Sequence, residues 1–131
     1  MVRYALDTNT VSYYMRRQGS VVERVQALAP DRVVLPAMVV FEVRFGLLRV
    51  NRRESLDAFE LLVASTTLLD FDLHAADHAA RIRVQLASRG TPIGLADLLI
   101  AATARRHNCT LVTHNTRELE RVPGLLLEDW Y

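Results

Sequence analysis

Three acidic residues, far apart along the chain, have the types and surroundings to do chemistry together. Asp7 closes the apolar run of RYALDTN, Glu42 lies within AMVVFEVRFGLLRV, and Asp97 within LADLLIAATARR. In the second segment Met38, Phe41, Phe45 and Leu48 recur at helical spacing and predict the inward stripe. Glu42 falls on the margin of that stripe, while Arg44 and Arg49 are better placed to reach water. Asp97 precedes Ile100, Ala101 and Ala104 by three, four and seven residues, which puts it on an inward face as well. An unpaired buried carboxylate is costly, and clustered carboxylates repel one another. A divalent cation relieves both problems, and oxygen-only donors favour Mg²⁺ or Mn²⁺ over Zn²⁺. Taken singly, the bland accounts are adequate: Asp7 as a helix N-cap, Asp97 as a first-turn acid favoured by the helix dipole, Glu42 as the partner of an arginine. Only convergence of the three would make a site.

The elements that would have to position them alternate between strand and helix. VRYAL reads as a short buried strand and TNTVSYYMRR as the helix it opens; VVERVQAL is a second short helix and RVVL a second strand. Pro36 suits the first turn of the helix that carries Glu42. Residues 53 to 66 continue helically with Leu56, Phe59 and Val63 on one stripe. TTLLDF is a third strand, followed by a helix over about 73 to 89 that Gly90 stops. TPIGLADLLIAATARRH is a turn plus helix, CTLVT a fourth strand, and LLLEDWY a final edge strand. This alternation predicts an α/β layer fold with a mainly parallel sheet, and residues 1 to 131 form one domain without repeat or linker. Ligands of such sheets bind outside the carboxyl ends of the strands. Asp7 lies there after the first strand, and Asn115 after the fourth.

Composition removes several classes of function. A net charge of +1 advertises no nucleic-acid partner, so any such binding must come from a local patch. One cysteine, Cys109, forms no internal disulfide and fits a reducing compartment as a buried thiol. The chain reaches Asp7 too soon for a signal peptide, and its longest apolar stretches fall short of the roughly 20 residues of a membrane helix. A cytoplasmic chain is expected. All 16 basic residues are arginine. The absence of lysine argues against aspartyl-nucleophile phosphatases and phospho-accepting receiver domains, which also begin with a strand and an Asp but use a lysine.

YALDTN, the helix with FEVRFG, GTPIGLADLLIAATAR and LVTHNTRELERVPGL…EDW occur in the order that resembles the PIN-domain ribonucleases, specifically the VapC-type toxins of bacterial toxin–antitoxin pairs. The resemblance spans nearly the whole chain. It implies a three-layer α/β/α sandwich whose acidic pocket binds Mg²⁺ or Mn²⁺ and hydrolyses RNA. Asp7, Glu42 and Asp97 fall on the family's principal acidic positions. Many relatives carry a fourth acid where this chain has Asn115, with Glu118 three residues on; Asn115 is the preferred site-lining residue of the two. Thr8, Asn9 and Thr113 are candidates to support the acids through hydrogen bonds, although capping is the simpler account of them. The resemblance further implies a VapB-type antitoxin, dimerisation through the toxin, and initiator tRNA as one plausible substrate. VSYYMRR and the helices over 36 to 66, with Tyr13, Tyr14 and Leu47, are candidate protein surfaces unless they complete the core. Arg17 and Arg117 lie nearest in sequence to the crevice and are the RNA-binding candidates. The competing class is a catalytically silent PIN-like binding module, whose signature would be missing acids.

One feature invites a wrong assignment. HAADH spaces His74 and His78 as in a helical zinc site, but the glutamate after the first histidine is missing. Ala75, Ala79, Ile82 and Leu86 form that helix's buried stripe, leaving His74, His78, Arg81 and Gln85 on its outer face.

Overall fold

Each short apolar run becomes a strand. In the computed structural model, which describes residues 1–131, these are β1 (Tyr4–Leu6), β2 (Val33–Pro36), β3 (Thr67–Leu69), β4 (Thr110–Val112) and β5 (Leu127–Glu128). The sheet order is β3-β2-β1-β4-β5, and every pairing is parallel. Connecting them are α1 (Thr8–Arg16), α2 (Val21–Gln26), α3 (Ala37–Arg49), α4 (Arg53–Ser65), α5 (Leu73–Ser88), α6 (Leu95–Arg106) and α7 (Thr116–Leu119). β2 and β4 are buried along their whole length. Strands covered on both faces are what helices packed on each side of a parallel sheet produce.

The chain winds outward from β1 through β2 to β3, then returns to the other side of β1 for β4 and β5. That reversal puts the crevice of a doubly wound sheet between the carboxyl ends of β1 and β4. Asp7 and Thr113 directly follow those two strands.

The core joins Leu6, Val34, Leu35 and Leu111 of the sheet to Phe59, Ile82, Leu86 and Ile100 of the helices. α5 buries Ala75, Ala79, Ile82 and Leu86, the stripe expected from its spacing. Gly90, in the left-handed region at φ +67°, turns the chain out of that helix as anticipated. Cys109 is buried, and burial pushes its thiol pKa up, so it packs as a small hydrophobe.

α3 differs from expectation. Its buried residues are Val39, Val40 and Val43, whereas Phe41, Phe45 and Leu48 are 61%, 55% and 63% exposed; of the expected stripe only Met38 packs against the core. The segment is apolar nearly all round, so two stripes compete, and periodicity does not choose between them. The exit of β2 at Pro36 sets the helix's rotation, and the compact valines take the inner face. α4 is likewise a separate helix, entered after Asn51 at φ +56°, and buries Phe59 and Leu62 while Leu56 and Val63 are only half-buried. His74 is exposed as expected, but His78 is half-buried and accepts a hydrogen bond at Nδ1 from Arg105 Nε at 2.9 Å.

Candidate active site

Asp7 is a helix cap placed at the carboxyl end of β1. Its extended backbone (φ −79°, ψ 174°) ends β1, and its Oδ1 accepts the Thr10 N–H at 2.8 Å, capping α1. Its own N–H donates to the Val112 carbonyl at 3.1 Å, and the Thr10 hydroxyl donates to the same carbonyl at 3.0 Å. The carboxylate is thereby fixed at the end of β4 and is 4% exposed. One oxygen is committed to the cap; the second is not.

Glu42, half-buried on α3, receives a short hydrogen bond at Oε1 from the Thr8 hydroxyl in the first turn of α1. That bond ties α1 to α3 at the mouth of the pocket. Of the other supporting candidates, Thr113 is fully buried and accepts the Asn115 N–H at 3.0 Å, while Asn9 is exposed.

Asp97 carries the clearest electrostatic signature. It sits in the first turn of α6, where the helix dipole favours a carboxylate. Its pKa is nonetheless raised, first by burial and then by the charges of Asp7, Glu118 and Glu42 in that order. Like charge and desolvation therefore outweigh the dipole. Asp97 thus lies within the field of the two other expected acids, and Glu118 of α7 acts on it ahead of Glu42. Asn115 occupies the cap position of α7 without making a side-chain cap bond.

No arginine or histidine pairs with any of these four acids. The chain's ion pairs are Arg24–Glu128, Arg44–Glu60, Arg81–Asp77, Arg106–Asp72 and His114–Asp129. Three carboxylates therefore act on Asp97, and none of the four is ion-paired, a charge pattern and all-oxygen donor set that would suit a small divalent ion. No three carboxylate, imidazole or thiol groups stand together as a ready ligand set, however. Where Mg²⁺ binds through only one or two carboxylates, a ready three-ligand set is not required.

Alongside runs a groove of about 900 Å³ between α1, α3 and α4. Thr8 and Glu42 line it with apolar Val43, Leu47 and Leu62, and with Arg16, Arg17, Arg49 and Arg52. Arg17 is held at the end of α1 by a left-handed backbone, φ 56°. Arg117 is exposed on α7 and does not line this groove. Tyr13, Tyr14 and Leu47, considered above as a protein surface, are half-buried and packed on the core.

Comparison with known proteins gives the family. The PIN domain family matches residues 4–125. The tRNA(fMet)-specific endonuclease VapC of Salmonella typhimurium is 33% identical over 131 residues, covering 99% of each chain. Ribonuclease VapC1 of Haemophilus influenzae (strain R2866) is 35% identical over 130 residues, 97% of each. Among solved structures, DNA-bound VapBC from Salmonella typhimurium superposes with a TM-score of 0.92 at 32% identity over 100% of both chains.

Proposed function

The chain belongs to the PIN-domain family, among its VapC ribonucleases, and from that premise we propose that it is the toxin of a type II toxin–antitoxin pair, an Mg²⁺- or Mn²⁺-dependent endoribonuclease. Residues 1 to 131 act as one PIN domain. The observation that carries this reading is Asp7 at the sheet's switch point within the electrostatic reach of Asp97, on which Glu118 and Glu42 also act, with none of the four ion-paired. A bound Mg²⁺ supplies Lewis acidity toward the scissile phosphodiester and lowers the pKa of attacking water. Asp7, Glu42 and Asp97 are the residues that would hold the cation, with Glu118 and Asn115 as further candidate donors. The cap on Asp7 and the Thr8 bond to Glu42 keep two of these carboxylates from rotating away. Arg17 and its neighbours in the groove hold phosphates of the RNA on one side, and Arg117 on the other.

The substrate is structured RNA with an unpaired loop, and initiator tRNA, named for the Salmonella relative, is the first candidate. The cognate antitoxin is a VapB-type protein, a partner supported by the VapBC complexes that resemble this chain, and it covers the α1–α3–α4 groove together with the exposed outer face of α3 beside it. Dimerisation of the toxin and a cytoplasmic location complete the proposal; no helix is long and apolar enough to cross a membrane.

The test is cleavage of end-labelled initiator tRNA by the purified chain in Mg²⁺, in Mn²⁺ and in EDTA, with the product ends mapped. Hydrolysis by water leaves 5′-phosphate and 3′-hydroxyl ends, formed only with the cation. Ends carrying 2′,3′-cyclic phosphate, or cleavage undiminished by EDTA, overturn the mechanism.

A further inference from the structure

Beside the acid pocket stands a second cluster that the metal chemistry does not use. His114 follows Thr113 at the exit of β4, two residues from the carbonyl to which Asp7 is anchored. Its ring centroid lies 4.5 Å from that of Tyr131, with the planes inclined by 30°. Tyr13 of α1 meets both edge-on, at 4.7 Å from Tyr131 and 6.0 Å from His114.

The rings are held deliberately. Asp129 Oδ2 lies 2.9 Å from His114 Nδ1, and Asp129 Oδ1 accepts the Tyr131 N–H at 3.0 Å, so one carboxylate orients both residues. Ser20 N–H donates to the Trp130 carbonyl at 3.0 Å and to that of Tyr131 at 3.2 Å. The neighbouring Gly19, at φ +64°, lets this backbone approach so closely that a Cβ there would lie 2.5 Å from the Tyr131 oxygen.

Such anchoring ordinarily accompanies burial. The Tyr4–Trp130 pair next door shows it: centroids 5.1 Å apart, with Trp130 2% exposed. Tyr131 by contrast is 51% exposed and the His114 side chain 48%. Rings locked in place with their surfaces left to water form a platform rather than a plug. Arg16, its guanidinium carbon 5.9 Å from the Tyr13 centroid, adds a cation at the edge.

We propose that the His114–Tyr131 pair, edged by Tyr13, is a stacking platform for an unpaired nucleobase of the RNA, with Arg16 meeting the adjoining phosphate. This rests on the nuclease reading of the acid pocket and adds to it a site for the base beside the scissile bond. Aromatic faces accept splayed bases, and a guanidinium at their rim suits the backbone that carries them. None of the three rings lines the apolar α1–α3–α4 groove; Arg16 does, so the platform adjoins the surface assigned to the antitoxin at that one residue.

Binding is measured in EDTA, where no cleavage is required, using fluorescein-labelled single-stranded RNA and the same RNA carrying 2-aminopurine. Tyr131→Leu should weaken binding by about tenfold and abolish the 2-aminopurine quenching seen with the unaltered chain, whereas Tyr131→Trp retains both. Equal binding by all three proteins overturns the platform. So does equal loss in both variants with a lowered melting midpoint, which would make the ring a clamp for the fold. Loss of antitoxin capture with RNA binding intact makes the surface a protein contact and overturns it too. If binding depends on the ring as stated but no cleavage occurs in Mg²⁺, the nuclease reading fails and the base platform stands.

Discussion

The acid pocket and the outer face of α3 are both left unsatisfied by this chain, for opposite reasons. The pocket holds too much like charge: Asp7, Glu42, Asp97 and Glu118 with no cationic side chain among them. The α3 face holds too much apolar surface, with Phe41 and Phe45 stacked 6.3 Å apart in water and Leu48 beside them. A small ion relieves the first and costs the fold nothing in shape. Only another macromolecule relieves the second. On the proposed function the two regions separate catalysis from recognition, and substitutions in one should leave the other's readout intact.

The largest expected effect breaks catalysis alone. Asp97→Asn removes one of the charges that would bind the cation, and cleavage of initiator tRNA should fall by at least about a hundredfold, near 3 kcal/mol at the transition state. Antitoxin affinity, measured by calorimetry, should stay within about twofold if the outer face of α3 dominates that contact. Full activity in this variant would remove the acid from the reaction.

A smaller effect, confined to the other region, is expected from Phe45→Asp. Buried aromatic anchors of interfaces cost about 2 kcal/mol or more on truncation, so the antitoxin complex should weaken at least tenfold. The melting midpoint of the isolated chain should barely move, because surface substitutions stay within about 0.5 kcal/mol. RNA cleavage should continue. A midpoint lowered as by a core substitution would mean that α3 packs differently from the arrangement described here.

The same contrast explains what could be read beforehand. α5 sets its two largest mid-helix aliphatics, Ile82 and Leu86, on one face with Ala75 and Ala79, and these four are buried where the spacing puts them. α3 offers apolar residues in nearly every direction, and the choice of face is made by the strand that feeds it. Asp7 was legible because a strand end is a fixed place in a parallel sheet. The choice between Asn115 and Glu118 is harder to read, because α7 has only four residues, Thr116–Leu119, too few to show which face turns inward. The aromatic platform was invisible for another reason: Tyr13 and Tyr131 meet across nearly the entire chain, and no local pattern announces such a contact.

The smallest effect sharpens the comparison through its sign. Burial, then Asp7, Glu118 and Glu42, raise the Asp97 pKa above the ordinary aspartate value. Above the folded value the chain bears the full cost of that charge. As pH falls through the folded value, the native state takes up its proton before the unfolded chain does, and stability rises until the unfolded group is protonated too. On the α3–α4 side Glu60 runs the other way: its hydrogen bond from Arg44 holds it below the ordinary glutamate value, so its contribution is present above that value and is lost as pH falls through the folded one. Solvent screening keeps the Glu60 contribution small. Melting midpoints recorded against pH in EDTA should therefore show Asp97→Asn more stable than the unaltered chain at neutral pH, by a few degrees at most, with the gap closing on acidification. Glu60→Gln should be slightly less stable at neutral pH, with its gap closing at lower pH. Saturating Mg²⁺ should stabilise the unaltered chain and reverse the Asp97→Asn advantage while leaving the Glu60→Gln difference alone. A gap for Asp97→Asn that widens on acidification, or that Mg²⁺ does not touch, would show that the charge of this carboxyl is satisfied within the protein and has no need of a cation.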